Sequence, residues 1–442
     1  MTGKSSPRLS PLNLAAFSTP VMVAIALETP WRVFLPAFFS ETVGLPLVAV
    51  AGILMWIRLF DMVADPAAGW LSDRFPTPIG RRRPWMLASA PLIVLGTWQV
   101  FFAQPGIGVW TLSAWCVAMH LGYSLLIVPH GGWGLEIADD PHERTRIMGA
   151  KVWFAALGAP LVILLPTVME RLGVGGRAEQ VHAMGWLLMI LAPLSVGLVL
   201  WRIPEVAPPR VESDNRSGNP FRQFYEILRN PELARILSLY FLIGAAEACG
   251  SGVFIFFVER TLGLGHAAGG LLMIQFLVGL VTVPAWAMVS KRLGKRRALI
   301  AVLTWQLLTA PLPLLLPSGQ AAPLIGYLVL RACAWGADYM LLRAMVADVS
   351  AADTARTGQT RASSYYALFN VSLKLAGGLG VGFALWLLAR GGFDPKVMAT
   401  TADTALQIRI VYAMPALIAP ALGLLLMASA RSEPAPKPLP AS

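Results

Sequence analysis

About twelve apolar stretches, each roughly twenty residues long and split from the next by a short polar or Pro/Gly-containing turn, run through the chain, and each can cross roughly 30 Å of hydrocarbon as a helix. In lipid every backbone amide needs an internal partner, which restricts spanning segments to helices or closed barrels. The ten-residue alternation of barrel strands is absent. The sequence therefore predicts an all-α membrane protein with spans at 14–38, 45–70, 85–103, 109–136, 148–170, 183–203, 236–258, 266–289, 298–316, 321–347, 362–389 and 408–430. A composition of 56% hydrophobic and 13% charged residues over 442 positions agrees, since one water-soluble core cannot absorb that much apolar surface.

These spans sort the basic residues unevenly. Lys4, Arg8, Arg74, Arg81, Arg82, Arg83, Arg144, Arg146, Lys151, the arginines between 202 and 235, Lys291, Arg292, Lys295, Arg296, Arg297, Arg356, Arg361, Arg431 and Lys437 fall on one side. Only Arg171, Arg177, Arg260, Arg390, Lys396 and Arg409 fall on the other. The positive-inside rule then places both termini in the cytoplasm of a bacterial-type inner membrane. Topology accounts for the net charge of +11, so no nucleic-acid partner is expected. Cys116, Cys249 and Cys333 are isolated within spans and show neither a disulfide framework nor metal-ligand spacing. Residues 1–11 lack a cleavable leader, so the first span is expected to be retained. The five histidines are scattered, and no nucleophile stands framed beside a base, so an enzyme is not expected. Repeated polar rings that would line a channel are also missing.

The longest polar interval divides the spans six and six. It sets expected boundaries of 1–203 for a first six-helix bundle, 204–235 for a linker, 236–430 for a second bundle and 431–442 for a tail. The later linker, with Phe221, Phe224, Tyr225 and Leu228 on one side, fits either an amphipathic helix on the inner leaflet or a solvated connector. The halves repeat each other: Asp65 to Arg74 followed by Gly80 to Arg83 aligns with Val283 to Arg292 followed by Gly294 to Arg297. Two related six-helix bundles meeting at a midplane site describe a secondary transporter that rocks one half against the other.

Asp61 and Asp65 are four residues apart in the second span and so share one helical face. Two carboxylates buried near hydrocarbon cost several kcal/mol each unless a cation, a proton or basic side chains compensate them. A coupling-ion site follows, with Arg58 and Lys374 as charge partners; a static salt-bridge network is the competing reading. Glu247 and Asp338 are further intramembrane acids, for which Arg331 and Arg343 are the available partners.

The segment from Gly69 to Arg74 with Gly80 to Arg83 resembles the loop signature of the major facilitator superfamily. Three stretches resemble one of its branches, the glycoside-pentoside-hexuronide:cation symporters typified by the melibiose carrier: Arg58 to Pro66 leading into Trp85; Val128 to Glu136 followed by Asp139 to Arg146; and Ala347 and Asp348, Arg356 to Gln359, and Tyr365 to Lys374. The resemblance implies cation-coupled symport of a sugar, glycoside or hexuronide, driven by Na⁺ or H⁺, with no cofactor, by a monomer in contact with membrane lipid. It matches Ser124 to a hydroxyl that completes the cation site, whereas Ala64 replaces an amide, which leaves Na⁺ against H⁺ open. Ile25 and Ile127 occupy positions where the family clamps sugar hydroxyls with acids, and Glu28 is the available substitute. Lys151 matches a basic substrate contact and with His130 favours a carboxylate, although anchoring alone would also explain Lys151. Trp133, Tyr365, Tyr366, Phe369 and Asn370 are expected to line the cavity or pack the bundle. Asp73, Arg74, Arg81, Arg82, Arg83, Glu136, Arg144, Arg292 and Arg296 are expected to gate it through a charge network at the helix ends. Apolar residues at both clamp positions also fit a carrier of lysophospholipid or another amphiphile on the same fold.

Overall fold

The computed structural model describes residues 8–75, 77–138, 140–205, 220–264, 268–393 and 401–428. Lys4, Asp139, Arg210, Arg216, Lys396, Arg431, Lys437, most of the linker, the tail and the Phe221 side chain lie outside the described residues. Among the described residues the chain is helical throughout, with no strand. Its first half runs α1 Pro11–Val33, α2 Leu47–Arg74, α3 Arg83–Phe101, α4 Val109–Glu136, α5 Pro141–Arg171 and α6 Arg177–Arg202. A short amphipathic α7, Pro220–Leu228, follows. The second half runs α8 Pro231–Phe256, α9 Ala268–Leu293, α10 Lys295–Thr309, α11 Ala321–Ala332, α12 Ala337–Thr357, α13 Ala362–Arg390 and α14 Ala402–Ala428.

Local chemistry sets several of these ends. Ser10 accepts the Asn13 amide at 3.2 Å, and Asn230 accepts the Glu232 and Leu233 amides at 3.0 and 3.2 Å. A proline follows each cap at the first helical position, where its missing N–H costs nothing. The tenth expected span, read as continuous over 321–347, is two helices. Gly336 at φ 78° holds the left-handed turn between α11 and α12, a conformation open to glycine at little cost.

Nine described helices are long and apolar enough to cross a membrane by length and composition. The α11 helix falls short because it stops after 12 residues, and α2, like α9, includes side chains outside the described set. Large apolar side chains such as Val63, Leu164, Val281 and Leu425 point outward, as a lipid-facing surface requires.

Helices α1, α5 and α6 pack together, as do α2 with α4 and α3 with α4 and α6; in the second half α8 packs on α13 and α14, and α10 on α14. The halves meet along α13 against α2 and α4, and along α9 and α12 against α5. Glycines allow the close approach: a Cβ on Gly132 would lie 2.6 Å from Ser363 Cα, one on Gly69 2.9 Å from the Ser363 carbonyl, and one on Gly131 would enter the Tyr366 ring. These contacts gather at the end of the molecule that carries Arg81 to Arg83, called here the basic face.

Candidate functional site

Helix α2 presents Asp61 and Asp65 one turn apart, both at 0% exposure. From the other half, α13 brings Lys374, whose Nζ lies 3.1 Å from Asp61 Oδ2 and 2.9 Å from Asp65 Oδ2. Helix α4 closes the opposite side: Ser124 Oγ donates to Asp65 Oδ1 at 2.6 Å, and His120 Nδ1 sits 3.2 Å from Asp61 Oδ1. Pro66 has no N–H to give the Met62 carbonyl, which leaves a backbone oxygen without its helical donor beside the acid pair.

Arg58 leans away from the pair. It donates to Glu28 at 2.6 Å and stays 3.7 Å from Asp61, while Arg32 also binds Glu28 at 2.8 Å. Glu28 is thus engaged in ion pairs rather than presented alone. Ile25 is half-buried where α1 crosses Gly158 of α5, and Ile127 is buried in α4.

The aromatic set divides between the halves. Trp133 meets Phe17 edge-on at 5.6 Å, whereas Phe369 stacks on Tyr240 at 3.6 Å. Tyr365, Tyr366 and Asn370 are buried on α13. His130 Nε2 is 2.7 Å from the Phe17 carbonyl. Lys151 is fully buried, which does not fit an anchoring role at the membrane surface. In the second half Arg331 pairs with Glu247 at 3.0 Å, and Asp338 accepts from Gln306 at 2.7 Å; the two acids border a cavity of about 50 Å³. Arg343 instead reaches the Tyr240 hydroxyl at 3.3 Å.

At the basic face Asp73 ties the halves together. Its carboxylate accepts from Arg82 at 2.6 Å and, across the interface, from the Ser363 and Ser364 amides at 3.1 and 2.7 Å and the Ser364 hydroxyl at 2.6 Å. A negative charge on the first amides of α13 complements that helix's N-terminal dipole. Arg82 also makes a two-pronged bond to Glu136 at 3.0 Å. Burial opposes the Arg82 charge, but Glu136 and Asp73 outweigh it and hold the guanidinium above its ordinary value. Arg81 bonds Thr360 across the interface, and Arg83 the Leu200 carbonyl. Arg74 lies over Trp70. Arg144 meets Asp348 of the other half at 3.1 Å, and Lys295 joins the same carboxylate. In the repeat's second copy, Arg292 is exposed and Arg296 bonds the Met427 carbonyl within its own half.

Sequence reasoning missed His120, Ser363, Ser364, Lys295 and Glu205, whose carboxylate accepts the Arg81 and Arg82 amides at 2.8 and 2.7 Å. His120 stands one helical turn before Ser124, a spacing that by itself does not separate it from a packing residue.

An all-helical membrane molecule whose halves close over a mid-depth charge site, latched at one face, is a carrier of the major facilitator type. The sequence pattern of the family described as MFS/sugar transport protein matches residues 16–430, and the chain belongs to that family; it is a transporter and not an enzyme. It is 23% identical to the putative glycoside/cation symporter YagG of Escherichia coli K12, over 85% of this chain and 82% of that one. It is 22% identical to the sodium-dependent lysophosphatidylcholine symporter 1-A of Danio rerio, over 89% and 80%. A 28% match to an uncharacterized Synechocystis symporter spans 38% of this chain and only 32% of that relative. Among solved structures, a bacterial homologue of the iron transporter ferroportin in its outward-facing state shares the fold, with a TM-score of 0.68 at 12% identity over 95% of this chain and 99% of that one.

Proposed function

We propose that the chain is a secondary active symporter, coupled to Na⁺ or H⁺, that carries a sugar, glycoside or hexuronide by alternating access. The halves 1–203 and 236–430 rock about the linker 204–235, with the tail at 431–442. The protein works as a monomer in a bacterial-type inner membrane, its basic face and both termini toward the cytoplasm. The observation that carries this reading is the single ammonium of Lys374 bridging Asp61 and Asp65 from the opposite half. A cation entering between the carboxylates takes the place of that ammonium, and so severs a tie between the halves. Coupling then follows from geometry, because the ion changes the balance between the two conformations only by binding one better than the other.

The donors suit a small hard cation: the carboxylate oxygens, the Ser124 hydroxyl and the freed Met62 carbonyl. Ala64 adds none, and protonation of one carboxyl would release Lys374 equally well. Substrate lies beside this site, with Trp133, Tyr366, Phe369 and Asn370 as its aromatic and amide walls. Asp73 with Arg81, Arg82 and Glu136, and Arg144 with Asp348, act as the gate.

Uptake by right-side-out vesicles tests this. Asp61→Asn and Asp65→Asn should each abolish gradient-driven accumulation while the protein still folds. A permanent ion-pair stitch predicts the reverse, a lower melting temperature with gradient dependence intact. The second reading, a carrier of lysophospholipid or another amphiphile, is favoured by apolar Ile25 and Ile127 and by the relative named for lysophosphatidylcholine. Uptake of labelled glycosides and hexuronides against labelled lysolipids separates the two.

A further inference from the structure

The interior charge divides unevenly. Around the acid pair it balances, because Arg32, Glu28, Arg58, Asp61, Lys374 and Asp65 alternate in sign along one chain of contacts. On the α5 side of the same interface it does not. Lys151 is at 0% exposure, and among the described residues its ammonium has no hydrogen-bond acceptor. Its neighbours are the rings of Tyr366 at 5.2 Å and Phe17 at 5.7 Å. A second cation, Arg343, borders the same group of rings, since the Phe369 ring that it faces lies 6.4 Å from that of Tyr366.

Arg343 is also without a carboxylate among the described residues. It reaches the Tyr240 hydroxyl and lies 5.8 Å from the Phe369 ring, and its Nε has no partner. The acids of its own half are taken, Glu247 by Arg331 and Asp338 by Gln306. Helices α12 and α5 run antiparallel: Gly336 lies against Val152, Met340 against Gly149, and Asp348 pairs with Arg144. That register sets Arg343 opposite the turn that precedes Lys151, with Tyr366 and Phe369 of α13 beside the two cations. Burying two unpaired like charges costs far more than ring contacts return. Something negative belongs there.

We propose that Lys151 and Arg343 form a composite site for an anionic group of the transported substrate, a carboxylate or a phosphate, with one cation contributed by each half. This rests on the carrier reading and narrows its substrate class from glycosides at large to acidic ones. The guanidinium offers a planar fork and the ammonium a point charge, together suited to an oxyanion. His130 is not the second contact, since its Nε2 is committed to the Phe17 carbonyl and its ring packs on Phe17 at 4.5 Å. Because the cations belong to different halves, the anion also draws α5 toward α12.

Binding to the purified full-length protein tests this with two pairs of probes: methyl glucuronide against methyl glucoside, and lysophosphatidylglycerol against monoacylglycerol. One anionic probe should bind about tenfold or more tighter than its uncharged partner, and which one does so identifies a carboxylate or a phosphate source. Lys151→Gln and Arg343→Gln should each erase that preference, and Lys151→Arg should keep it. Lys151→Met should raise the melting temperature of the ligand-free protein, because it removes an unpaired buried charge; a structural lysine would give a fall. Equal binding within both pairs, no binding of either anionic probe, or an unchanged preference in the variants would overturn the proposal. Cation dependence, read in the same assay, separates the two readings. Anion preference without it defeats symport and leaves this site standing; cation dependence with no charge preference does the opposite.

Discussion

Asp61 and Asp65 on α2 face His120 and Ser124 on α4 turn for turn, so two helices running the same way enclose the carboxylates and leave the third side to Lys374. Taking away that ammonium leaves two buried carboxylates facing each other, a loss of about 3–5 kcal/mol when one partner of a buried pair is removed. Lys374→Met should therefore lower the melting temperature at neutral pH. Na⁺ or mild acid should restore most of the loss, and should shift the variant more than the wild type. An equal shift in both proteins would mean that the ammonium and the cation do not compete for one place. The acid pair was legible because charge at helical spacing within an apolar span stands out in the sequence. His120 was not, since a lone histidine on an apolar helix reads as packing. The partners of isolated charges were not legible either: Arg331 does meet Glu247, but Arg343 and Asp338 go to Tyr240 and Gln306, and only the third dimension decides such choices.

At the scale of elements, glycines set how closely the halves approach. A methyl on Gly132 would meet the Ser363 hydroxyl and, 2.6 Å away, the Ser363 backbone, which cannot turn aside as a side chain can, so it forces α4 and α13 apart. Overpacking of this kind costs about 1–3 kcal/mol. Gly132→Ala should move the population away from the closed basic face, seen as faster labelling of a cysteine placed at that face; unchanged labelling would show that α13 yields instead. Asp140 starts α5 by accepting the His142 and Glu143 amides at 3.1 and 3.3 Å. Those bonds, His142's first, hold its carboxyl below the ordinary carboxylate range. The stabilisation is present above the unfolded carboxyl's range and is lost as pH falls through the lower folded value. Asp140→Ala should cost about 1 kcal/mol at neutral pH and less in strong acid, where the protonated carboxyl caps more weakly, by thermal unfolding at the two pH values. Apolar length located the expected spans as helices, although the first breaks after Val33 and the ninth stops at Thr309 before a 3-10 turn. The break at Gly336 escaped because no proline marks it and a lone glycine rarely divides a span.

The whole molecule links the proposed gate to the proposed ion site through one rigid element. Asp73 stands eight residues beyond Asp65 on α2, about 12 Å along the axis, and binds the start of α13, while Lys374 binds the acid pair twelve residues into that same helix. Latch and ammonium bridge therefore hold one conformation in common. Asp73→Asn trades a carboxylate oxygen for an amide that confronts backbone N–H donors. Hydrogen bonds to a charged group contribute about 1.5–3 kcal/mol, so the closed basic face should lose roughly tenfold or more in population. In the other conformation Lys374 competes less for Asp61 and Asp65, and the apparent cation affinity should rise although no residue of the ion site has changed. Linkage demands the reciprocal effect: cation must shift the conformer ratio of the wild type by the factor with which the two conformers differ in cation affinity. Distances between spectroscopic probes across the basic face, read during cation titrations of both proteins, measure both sides of that equality. A variant that opens the face while cation affinity stays fixed would show that the Lys374 bridge is not what joins ion to conformation.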